Sequence, residues 1–252
     1  MSGGATLRRL AGAVPPSLKD PLRPLYRRAI HYGRSRFCPV CRSHVRGFLP
    51  AGVVPRADAV CPVCGSYERH RLLWVFFEKH TDLFSGRTRR LLHVAPEPIL
   101  ASRLGRLRGV DYLSADLHNP EAMIEMDITN IAYPDETFDV ILCSHVLEHV
   151  PDDRRAMREL RRVLHGGGWA VLQVPTRGRT TVEDLSITDP AERQRLFGQH
   201  DHVRYYGADY EDRLVEAGFQ VRCFSASEVV GSNNVVRMGI MADEIVYFCT
   251  RS

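Results

Sequence analysis

No run of apolar residues in this 252-residue chain approaches the roughly 20 needed to cross a bilayer, so a transmembrane helix is not expected. The start, MSGGATLRRLAGAVPPSLKD, lacks the apolar core of a secretory leader. It is arginine-rich and acid-poor, as organelle transit peptides are, but its weak apolar face suits a plain disordered tail better, so residues 1–36 are expected to form a basic, partly disordered arm. Cysteine is sparse: seven residues are too few for a disulfide scaffold of this length. Three of them, Cys143, Cys223 and Cys249, fall in predicted strands and read as reduced core thiols, which makes a cytoplasmic location the expectation. Acidic residues are scarce in one half only. Residues 1–90 hold 5 Asp/Glu against 17 Lys/Arg, a balance of +12, whereas the rest hold 25 against 17, a balance of −8. A basic front on an acidic body points to an anionic partner through residues 1–90, such as RNA, lipid or a phosphorylated carrier. A merely solvated arginine tail is the competing reading.

What is present starts with a basic arm over residues 1–36. Leu18, Leu22, Leu25, Tyr26 and Ile30 offer one short amphipathic face, and Pro21 and Pro24 are expected to confine any helix to its later part. Residues 37–66 hold Cys38-Pro39-Val40-Cys41 and Cys61-Pro62-Val63-Cys64-Gly65. Two C-x-x-C knuckles about twenty residues apart have the ligand spacing of a four-cysteine zinc ribbon. Four soft thiolates in a closed tetrahedron suit structural Zn²⁺, with Phe37, Phe48 and Val53–Val54 to cover so small a module. Beyond it, Leu72, Leu73, Phe76, Phe77, Leu83 and Phe84 recur at helical spacing, and His70 and His80 read as packing residues, the ligand set being complete.

Residues 67–252 are organised around FDVILCSHVLEHVPDDRRAMRELRRVLHGGGWAVLQVP, Phe138 to Pro175. Val140–Cys143 is a short β-branched apolar run, as in a strand buried on both faces. Pro151, Asp152 and Asp153 open a helix, Ala156, Met157, Leu160, Val163 and Leu164 supply its apolar face, and Gly166–Gly168 are expected to stop it. Trp169–Val174 reads as a second buried strand, and strand–helix–strand implies a right-handed parallel crossover. Further strands are expected at Leu91–Ala95, Val110–Ala115, Met123–Met126, Phe219–Phe224 and Ile245–Cys249, with a helix over 208–217. The fold class is α/β.

The combination of FDVILCSHVLEHV with L-x-GGG-WAVLQVP resembles the fourth strand, following helix and fifth strand of class I S-adenosylmethionine-dependent methyltransferases, in the branch with a V-L-E-H-V signature. The resemblance implies a Rossmann-like seven-stranded sheet with S-adenosylmethionine at the carboxyl ends of its strands. Asp116, with Leu117 beside it, takes the ribose position, as acids at that spacing do in dinucleotide-binding folds. Asp127 and Ile128 take the adenine position, and Ser144 and His145 lie by the methyl-donor end. His149 is the signature histidine, for which a structural role at the helix start is the simpler reading. One departure stands out: the loop after the first strand is Ala95-Pro96-Glu97-Pro98, with no glycine, and His93 replaces a common acid. Either Glu97 meets the donor's ammonium group, or it is an acid placed by the helix dipole.

After Pro175 comes a long insertion in the position of a substrate lid, with His200-Asp201-His202-Val203-Arg204-Tyr205-Tyr206. Methyl transfer needs alignment, exclusion of water and a proton acceptor, for which His202, oriented by Asp201, is the candidate base beside His145. The ribbon-plus-methyltransferase layout is similar to certain rRNA guanine methyltransferases, and the fourth strand to enzymes acting on quinone precursors and saccharides; the acceptor class stays open. The alternative, motivated by the glycine-free loop, is a non-catalytic zinc-ribbon binding protein on a degenerate methyltransferase fold.

Overall fold

The structure, a computed structural model, describes residues 16–52 and 55–251, with side chains from residue 24 onward. Val53–Val54 and most of the basic arm's first half lie outside the described residues. Two units are distinguished by their internal contacts: residues up to Thr81 with Ser225–Glu244, and Asp82–Phe224 with Ile245–Ser252.

The first unit begins with helix α1 (Pro16–His31). It runs through Pro21 and Pro24, against expectation. Each proline deletes one amide donor to the carbonyl four residues back, and the remaining bonds carry the helix on. Strands β1 (Tyr32–Cys38) and β2 (Ser43–Val45) pair antiparallel, as do β3 (Leu49–Ala51) and β4 (Arg56–Val60). Two short hairpins thus bring the ends of β1 and β4, and the C-x-x-C turn at each, together. Helix α2 (Glu68–His80) follows, buried from Arg71 to Phe77. It stops before Leu83 and Phe84, which the apolar spacing had included. His70 accepts the Tyr67 amide at 3.2 Å and His80 stacks on Phe76 with ring centroids 5.2 Å apart, so both are packing residues.

In the second unit, β5 (Arg89–Val94), α3 (Pro98–Leu104), β6 (Val110–Asp116), β7 (Ile124–Glu125), β8 (Phe138–Ser144), α4 (Asp153–Val163) and β9 (Leu164–Gln173) alternate as the apolar runs require. The insertion adds β10 (Val182–Glu183), α5 (Pro190–Phe197) and β11 (Arg204–Tyr205), followed by α6 (Tyr210–Glu216) and β12 (Phe219–Ser225). The chain then supplies α7 (Ala226–Val230) and α8 (Ser232–Arg237) to the first unit and returns as β13 (Ile245–Arg251). The seven-stranded sheet has the order β12-β13-β9-β8-β5-β6-β7. Strands β5 to β9 pair parallel and β13 runs antiparallel to β9. This is the expected Rossmann-like methyltransferase sheet. Its order reverses between β5 and β8, the switch point outside which open α/β sheets bind ligands.

Gly166–Gly168 do not cap the helix, which ends at Val163; they open β9. At Gly168 the reason is proximity: a Cβ there would meet the Asp139 carbonyl oxygen at 2.5 Å, so only glycine lets β9 close onto β8 at that point. Cys143, Cys223 and Cys249 sit in β8, β12 and β13 as free thiols, and burial raises all three, Cys223 to about 12. No helix among the described residues is long and apolar enough to cross a membrane.

Candidate functional site

The first unit gathers Cys38, Cys41, Cys61 and Cys64 so that all four Sγ atoms lie within 4.8 Å of one another. Cys38–Cys64 and Cys41–Cys61 are 3.7 and 3.8 Å apart, far beyond a disulfide bond. A tetrahedron with Zn–S bonds of roughly 2.3 Å has edges of about 3.8 Å, so these separations match the edges of a ZnS₄ centre. Without a cation the thiols compete for protons: hydrogen bonding to Cys41 holds Cys38 up, while hydrogen bonding from Cys38 pulls Cys64 down. A divalent ion removes that conflict by letting all four ionise. Behind the cluster lies a residue that sequence reading passed over. Arg71, fully buried, donates to the carbonyls of Ala59 (3.0 Å), Ser66 (2.7 Å), Asp58 (3.1 Å), Met238 and Gly239, and lies 4.0 Å over the Phe48 ring. It stitches β4 and the second knuckle to the segment after α8. In sequence it looks like one of many solvated arginines.

In the second unit, the carboxyl ends of β5, β6, β7 and β8 line one edge of the sheet, and the candidate donor-binding residues lie along it. Val94 pairs with Ala115 and with Cys143, the Ala95 amide donates to the Ala115 carbonyl at 2.8 Å, and the Met126 amide donates to the Asp116 carbonyl at 3.0 Å. Asp116 Oδ1 accepts the amides of His118 and Asn119, both at 2.7 Å. Asp127 Oδ1 accepts the Thr129 amide and hydroxyl, both at 2.8 Å. Each acid thus fixes its own turn with one oxygen, leaving Oδ2 unengaged at a strand tip. Leu117 is exposed and Ile128 buried.

The glycine-free loop keeps the backbone that a glycine would give. Ala95 has φ +46°, and His145, at the end of the neighbouring β8, has φ +57°. Two non-glycine residues in the left-handed region, each costing roughly 1–2 kcal/mol, flank the switch point. Glu97 occupies the N-cap of α3, yet its side chain makes no capping bond there. It turns back to His93 Nε2 at 3.2 Å, and His93 Nδ1 meets the Tyr112 hydroxyl at 2.9 Å. A buried histidine therefore stands where an acid is common and aims an acid four residues on. Burial pushes the Tyr112 hydroxyl up to about 12, which keeps it neutral.

Past β8, Ser144, His145, Glu148, His149, Asp201 and His202 form one neighbourhood. The insertion is pinned here: the Val203 amide donates to the Glu148 carbonyl at 3.0 Å, and Arg204 donates to the carbonyls of Leu147 (2.9 Å), Val150 and Pro151 (2.8 Å). Arg204 and Arg213 also hold Glu183, and Arg213 and the Tyr206 hydroxyl hold Asp153 at 3.0 and 2.6 Å. Arg204 and Tyr206 are consequently framework, not free chemistry. Asp153, expected as a helix-start acid, is the buried anchor of that framework. His202 Nδ1 faces the Phe197 carbonyl at 3.0 Å, while Asp201 meets His149 Nδ1 at 3.3 Å. The carbonyl, rather than Asp201, orients His202; burial lowers the His202 pKa, so Nδ1 donates and Nε2 keeps its lone pair. His145 Nδ1 lies 3.3 Å from Glu148 Oε1. The buried atoms Ser144 Oγ, His145 Nε2, both Glu148 carboxylate oxygens and His202 Nε2 have no hydrogen-bond partner. Glu148 was legible only as part of the V-L-E-H-V string; nothing in its local sequence marks it as buried without a hydrogen bond to its carboxylate.

A family model described as a methyltransferase domain matches residues 96–172, under a third of the chain. That bears out the resemblance drawn from Phe138–Pro175. Among curated proteins, the chain is 36% identical over 77 residues to "probable methyltransferase ltbC" of Aspergillus luteorubrus, covering 28% of this chain and 27% of that protein. It is 28% identical over 118 residues to the ubiquinone biosynthesis O-methyltransferase of Paraburkholderia xenovorans, covering 42% of this chain and 51% of the relative. The chain thus spans about a quarter and about half the length of these relatives. Among solved structures it is similar to an S-adenosylmethionine-dependent methyltransferase from Mesorhizobium loti, with 16% identity, a TM-score of 0.48, and coverage of 71% of this chain and 98% of the other.

Proposed function

We propose that this chain, carrying a methyltransferase-domain match over residues 96–172, transfers a methyl group from S-adenosylmethionine to a nucleophilic acceptor. The observation that carries the proposal is the set of side chains at the tips of adjacent parallel strands. On this reading Asp116, with Leu117 beside it, accepts from the donor's ribose hydroxyls through its free Oδ2. Asp127 accepts from the adenine amine, and Ile128 flanks the ring. Ala95 brings backbone close to the methionine portion, Glu97 meets its ammonium group with His93 and Tyr112 behind it, and Ser144 lies by the sulfonium end. The donor supplies a methyl carbon activated by positive sulfur. The chain's own residues have to align the acceptor, exclude water and take its proton. His145 Nε2 and His202 Nε2, both buried and unpartnered, are suited to that last task, with Asp201 acting through His149. Cys38, Cys41, Cys61 and Cys64 hold a structural Zn²⁺.

The acceptor to try first is a hydroxyl on a small molecule, because several relatives are named as O-methyltransferases. An anionic partner such as RNA, held through the basic residues 1–90, is the other class; its binding should fall steeply as salt rises, and a small neutral acceptor's should not. Titration calorimetry of S-adenosylmethionine into the intact zinc-loaded protein tests the central reading. Binding is expected, weakened at least tenfold by Asp116→Ala. Absence of heat from the unaltered protein would favour the non-catalytic binding protein that the glycine-free loop suggests.

A further inference from the structure

We infer that Glu148, His149 and His202 form a second metal site, distinct from the cysteine cluster and built for a divalent transition-metal ion. One carboxylate oxygen and one ring nitrogen from each histidine lie within 4.8 Å of one another. Three features make this a built site rather than a coincidence of polar groups.

The first is the cost of leaving it as it stands. Glu148 is 1% exposed and His202 3% exposed, yet both carboxylate oxygens and His202 Nε2 lack a hydrogen-bond partner. Burying a carboxylate without hydrogen bonds costs several kcal/mol, and His145 Nδ1, 3.3 Å away, approaches only its Oε1. The second is orientation. His202 Nδ1 is committed to the Phe197 carbonyl, so its ring presents Nε2, and His149 Nδ1 lies 3.3 Å from Asp201. A histidine whose other nitrogen is fixed by a carbonyl or carboxylate is how proteins set up metal-ligating imidazoles. The third is that the backbone holds the donors from both sides. Glu148 and His149 come from the turn after β8, His202 from the insertion, and the Val203 amide bonded to the Glu148 carbonyl clamps the two.

Two imidazoles and one carboxylate favour Zn²⁺, Mn²⁺, Fe²⁺ or Co²⁺ over Mg²⁺ or Ca²⁺, which prefer all-oxygen sets. Three protein ligands also leave positions open, unlike the closed four-cysteine centre. The site stands apart from the methyltransferase reading, but its use rests on that reading. At the carboxyl end of β8 an ion held by these residues would offer its open positions to the acceptor, and an oxygen nucleophile is the acceptor class that fits it. His202 would then serve as a ligand and not as the base.

The test is metal stoichiometry on the intact chain. Zinc-loaded protein should bind one further equivalent of Co²⁺ or Mn²⁺, seen by elemental analysis and by a Co²⁺ spectrum lacking thiolate charge-transfer bands. Glu148→Gln and His202→Ala should each lose that equivalent while keeping the cysteine-bound one. Asp201→Asn, at a half-exposed position that should not impair folding, should weaken the second ion 10- to 100-fold. Uptake of a single equivalent by the unaltered protein, or full retention of the second by Glu148→Gln and His202→Ala, would overturn the assignment. Donor binding measured on the same samples reports separately on the methyltransferase reading.

Discussion

The two donor clusters of this molecule were assembled in opposite ways. The four thiols come from two short turns of identical sequence, each carrying its two ligands three residues apart, and two local hairpins bring them together. Glu148, His149 and His202 come from a strand end and an insertion more than fifty residues on, and they meet only because β8 sits at the middle of the sheet and the insertion is strapped down by Arg204. A closed set of soft ligands suits a metal that would hold its unit together. An open, mixed set on a rigid sheet is free to take a ligand. The lesson is that ligand spacing betrays the metal that folds a module, whereas a metal that would act on a substrate is placed by topology.

The hardest way to break this contrast is to remove the thiolates. Cys38→Ser with Cys61→Ser should unfold the first unit, because apparent metal-binding free energies of about 10–16 kcal/mol in such centres are folding free energy. The second unit should keep its parallel sheet, read as circular dichroism and residual protection from hydrogen exchange. Loss of both units together would show that the cysteine cluster supports more than its own module. A smaller effect is expected in the second unit from Asp153→Asn. It removes one of the two carboxylates that hold Arg213, leaving Glu183, and should cost roughly 1.5–3 kcal/mol by urea denaturation. The same framework sets an acid limit. Hydrogen bonds from Arg213, then Arg204, pull Glu183 down to about 2 from the usual 4.5. Because the folded-state pKa is depressed, its contribution is complete above about pH 5 and drains away as pH falls toward 2. Glu183→Gln should flatten that stretch of the stability–pH curve.

Legibility followed the same divide. The knuckles, the strands β5, β6, β8, β9, β12 and β13, and the acids at two strand tips were all readable, because spacing and apolar runs encode local structure. The glycine run misled: Gly166–Gly168 look like a helix stop, but they lie within β9, and Gly168 answers the approach of the Asp139 carbonyl, a contact between strands that no local pattern carries. Prolines misled in the other direction, since α1 tolerates two missing donors. The chemistry-dense stretch after His200 reads as a uniform lid, yet Arg204 and Tyr206 serve the framework while His202 faces the site. Which is which depends on partners far along the chain, Leu147, Pro151 and Asp153 among them. The burial of Arg71 and Glu148 was unreadable for the same reason: a buried charge is defined by its surroundings.

The most delicate probe concerns the strand tips. Ala95 holds a left-handed backbone at the end of β5, a conformation that suits glycine, and His145 does so at the end of β8. If that geometry is a requirement of the sheet edge and not of the residue, glycine should be welcome at Ala95. Relief of roughly 1–2 kcal/mol of backbone strain would be offset by about 0.4–1 kcal/mol of extra unfolded-chain entropy. Ala95→Gly should therefore stabilise the second unit by about 0.5–1 kcal/mol, while Ala95→Val, β-branched and ill-suited to positive φ, should destabilise it by more than 1 kcal/mol. Urea midpoints of the two variants decide the matter. The opposite order would mean that the loop does not hold the left-handed turn, and with it would go the argument that a proline-stiffened, glycine-free loop reproduces the approach a glycine normally provides.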